Sequence, residues 1–150
     1  MHIPVLLKET VEALAVKPGG RYIDGTLGRA GHASAILRLA GADGWLLGID
    51  RDVEAFPRAA AVLAEAPGHA VLVHGTHGEL AALAAEKGFD AVDGILLDLG
   101  VSSDQLDTPG RGFSFQADGP LDMRMDQTRG ESARELIARE SEAALADLFR

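Results

Sequence analysis

Arg21-Tyr22-Ile23-Asp24-Gly25-Thr26-Leu27-Gly28-Arg29-Ala30-Gly31-His32 decides the fold: a short apolar segment ends in an acid, enters a glycine-rich turn and opens a helical stretch. Glycines in such a turn let the backbone bend tightly and approach a ligand where a Cβ would collide. Their spacing is Gly-x-x-Gly-x-x-Gly, which differs from the Gly-x-Gly-x-x-Gly dinucleotide fingerprint, and no Gly-Lys-Ser/Thr triplet follows to grip a triphosphate. Alone, the loop is compatible with a nucleotide site or with a plain tight turn.

The flanking sequence repeats the theme. Trp45-Leu46-Leu47-Gly48-Ile49-Asp50 and Ala70-Val71-Leu72-Val73-His74 read as strands that end in polar residues, and Gly94-Ile95-Leu96-Leu97-Asp98 is an apolar run without alternation. Unbroken apolar strands suit a parallel sheet covered on both faces. Helical patterns lie between them, over His32 to Leu39, Val53 to Glu65 and His77 to Lys87, with Gly88 as a C-terminal stop. Pro57 falls just beyond the first turn if Asp52 caps its helix, so that helix starts nearer Ala55 or kinks. Ahead of the sheet, Pro4 near a first helical position and Leu7, Val11 and Leu14 at helical spacing predict a helix ended by Lys17-Pro18-Gly19-Gly20. Alternating strands and helices make the class α/β.

In such a sheet, ligands bind beyond the carboxyl ends of the strands where the strand order reverses. Asp24, Asp50 and Asp98 should therefore gather there. Asp50, about 20 residues beyond the loop, is placed to accept hydrogen bonds from a ribose diol; its structural alternative is to stabilise the next helix, for which Asp52 is the better cap. Asp24 either binds a cofactor or orients the loop. Asp98 could contact a cofactor or accept a hydrogen bond from an amino acceptor. Ser102 and Ser103 could cap a short helix towards Asp107 or touch a ligand, and Gln105 on that turn could reach the pocket. His74 and His77 share a His-x-x-His spacing, but no helix aligns them, so no metal site is expected. A polar or stacking contact from His77 fits better, while His2 and His69 read as surface residues.

Beyond Asp98 the pattern changes. Thr108 to Arg129 carries glycines, prolines and the turn signals Pro109-Gly110 and Asp118-Gly119-Pro120, and reads as a long structured loop. Arg111, Arg124 and Arg129 are interleaved with Asp118, Asp122 and Asp126, which suits either a solvated mixed-charge loop or an RNA contact. Ser132 followed by Glu135 predicts a capped helix, and Ser141 to Phe149 another. The composition is that of an ordinary globular chain of 150 residues with 47% hydrophobic and 25% charged residues. No run approaches the roughly 18 apolar residues of a membrane span. The absence of cysteine excludes disulfides and thiolate chemistry. A cytoplasmic, soluble protein is the resulting expectation. The net charge of −9 argues against a broad nucleic-acid docking face.

Together with Arg111-Gly112-Phe113-Ser114-Phe115, the run Asp118 to Asp126 and the opening His2-Ile3-Pro4-Val5-Leu6-Leu7, these stretches closely resemble the bacterial ribosomal RNA small-subunit methyltransferase H family, also called MraW. The resemblance implies a Rossmann-like S-adenosylmethionine-dependent methyltransferase fold. It implies transfer of a methyl group to the N4 amino group of a cytidine in the decoding centre of 16S rRNA within the small ribosomal subunit. It places cofactor contacts on Ala30, Gly31, His32, Asp50, His77, Asp98 and Gln105. The family generally has Gly where Ala30 stands, and an aromatic is common where His77 stands. An ordinary backbone conformation is expected at Ala30, with altered cofactor affinity at most. Asp98-Leu99-Gly100-Val101 stands where many amino methyltransferases carry an Asp/Asn-Pro-Pro-aromatic motif, so no catalytic residue is assigned. Because the family runs to roughly double this length, the resemblance implies a fragment, with a cofactor-binding part over 1–107 and a loop and the start of a helical insertion over 108–150. Its parallel sheet would stop at the fourth strand and leave that strand's outer side exposed. A nicotinamide-dependent oxidoreductase and a non-catalytic binding module are the competing readings.

Overall fold

The computed structural model describes residues 4–150. The expectations for His2 and for the first residues of the family's opening motif lie outside the described residues. The chain forms two compact units, divided between Leu99 and Gly100.

The first unit is a parallel sheet in the order β3-β2-β1-β4, built from β1 (Arg21–Asp24), β2 (Trp45–Asp50), β3 (His69–His74) and β4 (Gly94–Leu96). The order reverses between β1 and β4, where Asp24 pairs in register with Leu96 on one side and Gly48 on the other. Side chains alternate across the sheet, as strand geometry requires. Tyr22, Leu46 and Leu72 face a layer containing Ala33, Ile36 and Leu37 of α2 (Gly31–Ala40) and Ala59 and Leu63 of α3 (Ala55–Leu63). Leu14, from α1 (Leu7–Leu14), packs on the same layer. Ile23, Leu47, Ile49, Val71 and Val73 face the other side and pack with Leu80, Leu83 and Ala84 of α4 (Leu80–Glu86) and with Phe89. The α/β class and the helix-covered parallel sheet thus match the expectation.

Local details depart from it. Pro4 does not start a helix: α1 begins at Leu7, after Leu6 in a left-handed conformation, and closes at Ala15, also left-handed. One detail agrees: α3 starts at Ala55, as the position of Pro57 suggested, which puts Pro57 inside the first turn where no intrahelical donor is needed. Strand β4 ends at Leu96, two residues before Asp98, and as a sheet edge it leaves Ile95 and Leu97 about half exposed. Trp45, at the amino end of β2, stacks on the His69 ring with centroids 4.4 Å apart, and the Arg21 guanidinium lies over it.

The second unit contains α5 (Ser103–Asp107), α6 (Ala133–Arg139) and α7 (Glu142–Leu148), joined by a long loop with one 3-10 turn at Pro109–Arg111. Serines 102, 132 and 141 cap the three helices, each accepting a backbone N–H. Three arginines of the loop find partners within it. Buried Arg111 donates through Nη2 to the carbonyls of Arg124 and Met125, at 3.2 and 2.8 Å. Arg124 grips both carboxylate oxygens of Asp122, at 3.0 and 2.7 Å, and this holds the Asp122 carboxyl down at about 2. Arg129 pairs with buried Asp126. The arginines and carboxylates interleaved in the sequence are thus interleaved in space as well, with Arg111 and Asp126 buried. No helix among the described residues is long and apolar enough to cross a membrane.

Tyr22 tests the packing of the first unit, because its ring is fully buried and its hydroxyl accepts the Lys17 N–H at 2.7 Å. Tyr22→Phe should strand that amide and lower stability by about 1–2 kcal/mol, measured by urea denaturation with an unchanged m-value.

Candidate functional site

The loop after β1 is held to the end of β2 by three contacts. Leu27 is buried and lies over Gly48, where a Cβ would come within 2.7 Å of Leu27 Cδ1. Its N–H donates to the Ile49 carbonyl at 3.0 Å. One residue on, the Gly28 N–H donates to Asp50 Oδ2 at 2.7 Å, while Asp50 Oδ1 accepts the Asp52 N–H at 2.8 Å. Sequence reasoning passed over Gly48, although a glycine inside an apolar strand is a recognised sign that another part of the chain approaches closely.

The loop glycines serve different ends. Gly25 is squeezed between Leu97 and Leu80, and Gly31 leaves room for the Pro4 ring. Only Gly28 combines a left-handed backbone, φ +48°, with no contact closer than 3.9 Å around a would-be Cβ, so it is the glycine that leaves backbone open to a ligand. Ala30 corrects the expectation: its φ of 59° and ψ of 27° are left-handed, not ordinary. This conformation costs an L-residue roughly 1–2 kcal/mol, which accounts physically for glycine being the usual residue here.

The acids gather as expected. Asp24 is 1% exposed at the end of β1, and its Oδ1 accepts the Thr26 N–H at 3.1 Å and faces the Thr26 hydroxyl at 3.4 Å. Burial pushes its carboxyl up to about 6, partly offset by the Thr26 amide and by the nearby His32 ring, with Asp50 adding to the rise. Burial also raises Asp50, against the pull of the Asp52 and Gly28 amides. His32, in the first turn of α2, is buried, with Nε2 at 3.1 Å from the Val5 carbonyl and Nδ1 at 3.9 Å from Asp98 Oδ2. Asp98 is exposed, and its N–H donates to Thr26 Oγ1 at 2.7 Å.

His77 lies on the same edge of the sheet, exposed, in the 3-10 turn His77–Glu79 after β3. His74 turns elsewhere, with Nε2 at 3.2 Å from the Arg51 carbonyl. Among the described residues there is no cluster of His, Cys, Asp or Glu able to hold a metal ion. Gln105 belongs to the second unit, where it is buried and its Oε1 accepts the Ser102 N–H at 2.9 Å in a capping box. Ser102 likewise caps α5. The structure therefore groups Ala30, Gly31, His32, Asp50 and Asp98 with Asp24 around one strand-end site.

The whole chain, residues 1–150, matches the model of the MraW methylase family. The chain belongs to that family. Among curated relatives, ribosomal RNA small subunit methyltransferase H of Nitratidesulfovibrio vulgaris is 54% identical over 99% of this chain and 46% of its own length. The same-named protein of Methylibium petroleiphilum is 51% identical over 99% of this chain and 47% of its own. This MraW-family chain thus spans about half the length of the curated relatives it matches. A solved structure described as a candidate rRNA-methylase from Clostridium thermocellum is 20% identical, with a TM-score of 0.48 over 69% of this chain and 58% of that one, too distant to add to the assignment.

Asp24 gives the site a pH signature. Because its folded-state value lies above the ordinary carboxylate value, the folded state holds the proton more tightly. Stability from this group is full below about pH 4 and is lost as pH rises through about 6. Asp24→Asn should therefore raise stability at pH 7, by up to about 3 kcal/mol, and flatten the dependence between pH 4 and 6 in denaturation curves.

Proposed function

We propose that this chain is the cofactor-binding part of an S-adenosylmethionine-dependent methyltransferase that modifies N4 of a cytidine in the decoding centre of 16S rRNA. The observation that carries the cofactor is the set of acids around the open loop. Asp24, Asp50 and Asp98 surround the left-handed turn at Gly28 and Ala30, an environment suited to a cationic ligand rather than to a pyrophosphate. S-adenosylmethionine supplies a methyl group on a positively charged sulfonium, together with an ammonium and a ribose diol. Asp50 accepts the N–H groups of Gly28 and Asp52, with the Arg51 amide also favouring its charged form, and a carboxylate has about four acceptor positions, which leaves capacity for a ribose hydroxyl. Ala30, Gly31 and His32 would line the loop side, His77 the neighbouring strand end, and Asp98 the end of the fourth strand, in keeping with the family resemblance.

Family membership and the names of the relatives support the ribosomal acceptor. On this reading the cofactor is held by the part expected over 1–107, although the compact units themselves meet between Leu99 and Gly100. Cytosine N4 is a poor nucleophile because its lone pair is delocalised into the ring, so alignment with the donor carries much of the catalytic task. Asp50 would serve the ribose of either cofactor, whereas the Gly-x-x-Gly-x-x-Gly spacing and the sequence after Asp98 argue against the nicotinamide alternative.

Calorimetric titration tests the reading. S-adenosylmethionine should bind and NAD should not, and Asp50→Asn should weaken S-adenosylmethionine about tenfold, ~1.4 kcal/mol. Tight NAD binding without S-adenosylmethionine binding would overturn the assignment. Methyl transfer to small ribosomal subunits lacking the modification separates the enzyme from a binding module.

A further inference from the structure

The sheet opens at its switch point in an unusual way, and Thr26 spans the opening. The β1–β4 ladder continues past β1 as the Gly25 N–H donates to the Leu96 carbonyl at 2.9 Å. In a regular parallel ladder the next rung would carry the Asp98 amide to the Gly25 carbonyl. Here the Thr26 side chain takes that amide, with Oγ1 at 2.7 Å. The same hydroxyl oxygen lies 3.4 Å from Asp24 Oδ1, and the Thr26 N–H reaches the same oxygen at 3.1 Å. A hydroxyl can accept one hydrogen bond and donate another, so the chain runs from the Asp98 amide through Thr26 Oγ1 to the Asp24 carboxylate.

We propose that Thr26 is a positioning residue of the cofactor site: its hydroxyl, accepting from the Asp98 backbone and donating to Asp24, fixes the acid beyond β4 relative to the acid at the end of β1. This deepens the functional reading above and rests on it. Asp98 is the exposed acid of the group and lies past the end of its strand, so the Thr26 bond is what ties its backbone to the sheet. The link also joins position to charge. An ionised Asp24 attracts the Thr26 proton and leaves Oγ1 a better acceptor for the Asp98 amide. Loss of the hydroxyl would remove a donor that favours ionised Asp24 and move its titration upward. The titratable groups facing Asp24 are His32 from α2 and Asp50 from β2, with Asp98 joined through Thr26.

The test compares Thr26→Val, which keeps the shape and deletes the hydroxyl, with Thr26→Ser, which keeps the hydroxyl and deletes the methyl group. Three quantities are measured on the 150-residue chain: S-adenosylmethionine affinity by calorimetry between pH 5 and 8, Asp98 amide exchange, and the Asp24 titration by carboxyl NMR. The expected result for Thr26→Val is binding about tenfold weaker, faster exchange at Asp98 and a higher Asp24 titration midpoint, with Thr26→Ser within about threefold of the parent in affinity. Parent-like binding by Thr26→Val, or equal weakening in both variants, overturns the proposal, since a packing role would spare valine and penalise serine. If the parent chain binds no S-adenosylmethionine, the functional reading fails. Exchange at Asp98 and the Asp24 titration then still decide the bridge, and an unchanged pair in Thr26→Val rules it out.

Discussion

The bond from the Gly28 amide to the Asp50 carboxylate, 2.7 Å long, is the constraint on which the site depends. It joins the loop after β1 to the end of β2, so two segments distant in sequence become one surface. Leu27 seated over Gly48 supplies the apolar half of the same clamp. With the loop fixed, α2 starts at Gly31 and carries its apolar face onto Tyr22 and Leu46. The site is therefore a by-product of core packing on one side and of a single charged acceptor on the other.

This arrangement confines acids where water is scarce. Asp24 is nearly inaccessible, and Asp50 has its ionisation opposed by burial. A structure selected for stability alone would have little reason to keep them there. On the proposed reading a cationic ligand would relieve this crowding of negative charge, so the groups whose burial is costly are those that would favour binding.

The strands were legible because each is an apolar run ended by a polar residue, and β1 and β2 matched to the residue. The carboxylates gathered as expected because strand ends in a parallel sheet share one edge. What could not be read depends on tertiary contact. The left-handed backbone at Ala30 is imposed by the loop's anchorage on β2, and no local preference of alanine announces it. Nor does the sequence announce that the absent side chain of Gly31 makes room for Pro4, itself expected to begin a helix. Strand β4 read longer than it is because Leu97 and Asp98 continue the apolar run, whereas the Thr26 hydroxyl diverts the ladder. Ser102 was ambiguous in the sequence between ligand and cap, and it caps α5, while Gln105, read only as able to reach the pocket, closes the capping box with its side chain.

The Trp45 stack on His69 has a practical side, because it is the chain's single tryptophan. It stands at the amino end of β2, opposite the edge where the acids meet. Its emission is thus an intrinsic optical probe of whether β2 and β3 remain paired, physically separated from the strand-end acids. The imidazole against its ring leaves with β3 if the pair separates, so the molecule carries a spectroscopic gauge of sheet integrity that needs no added label.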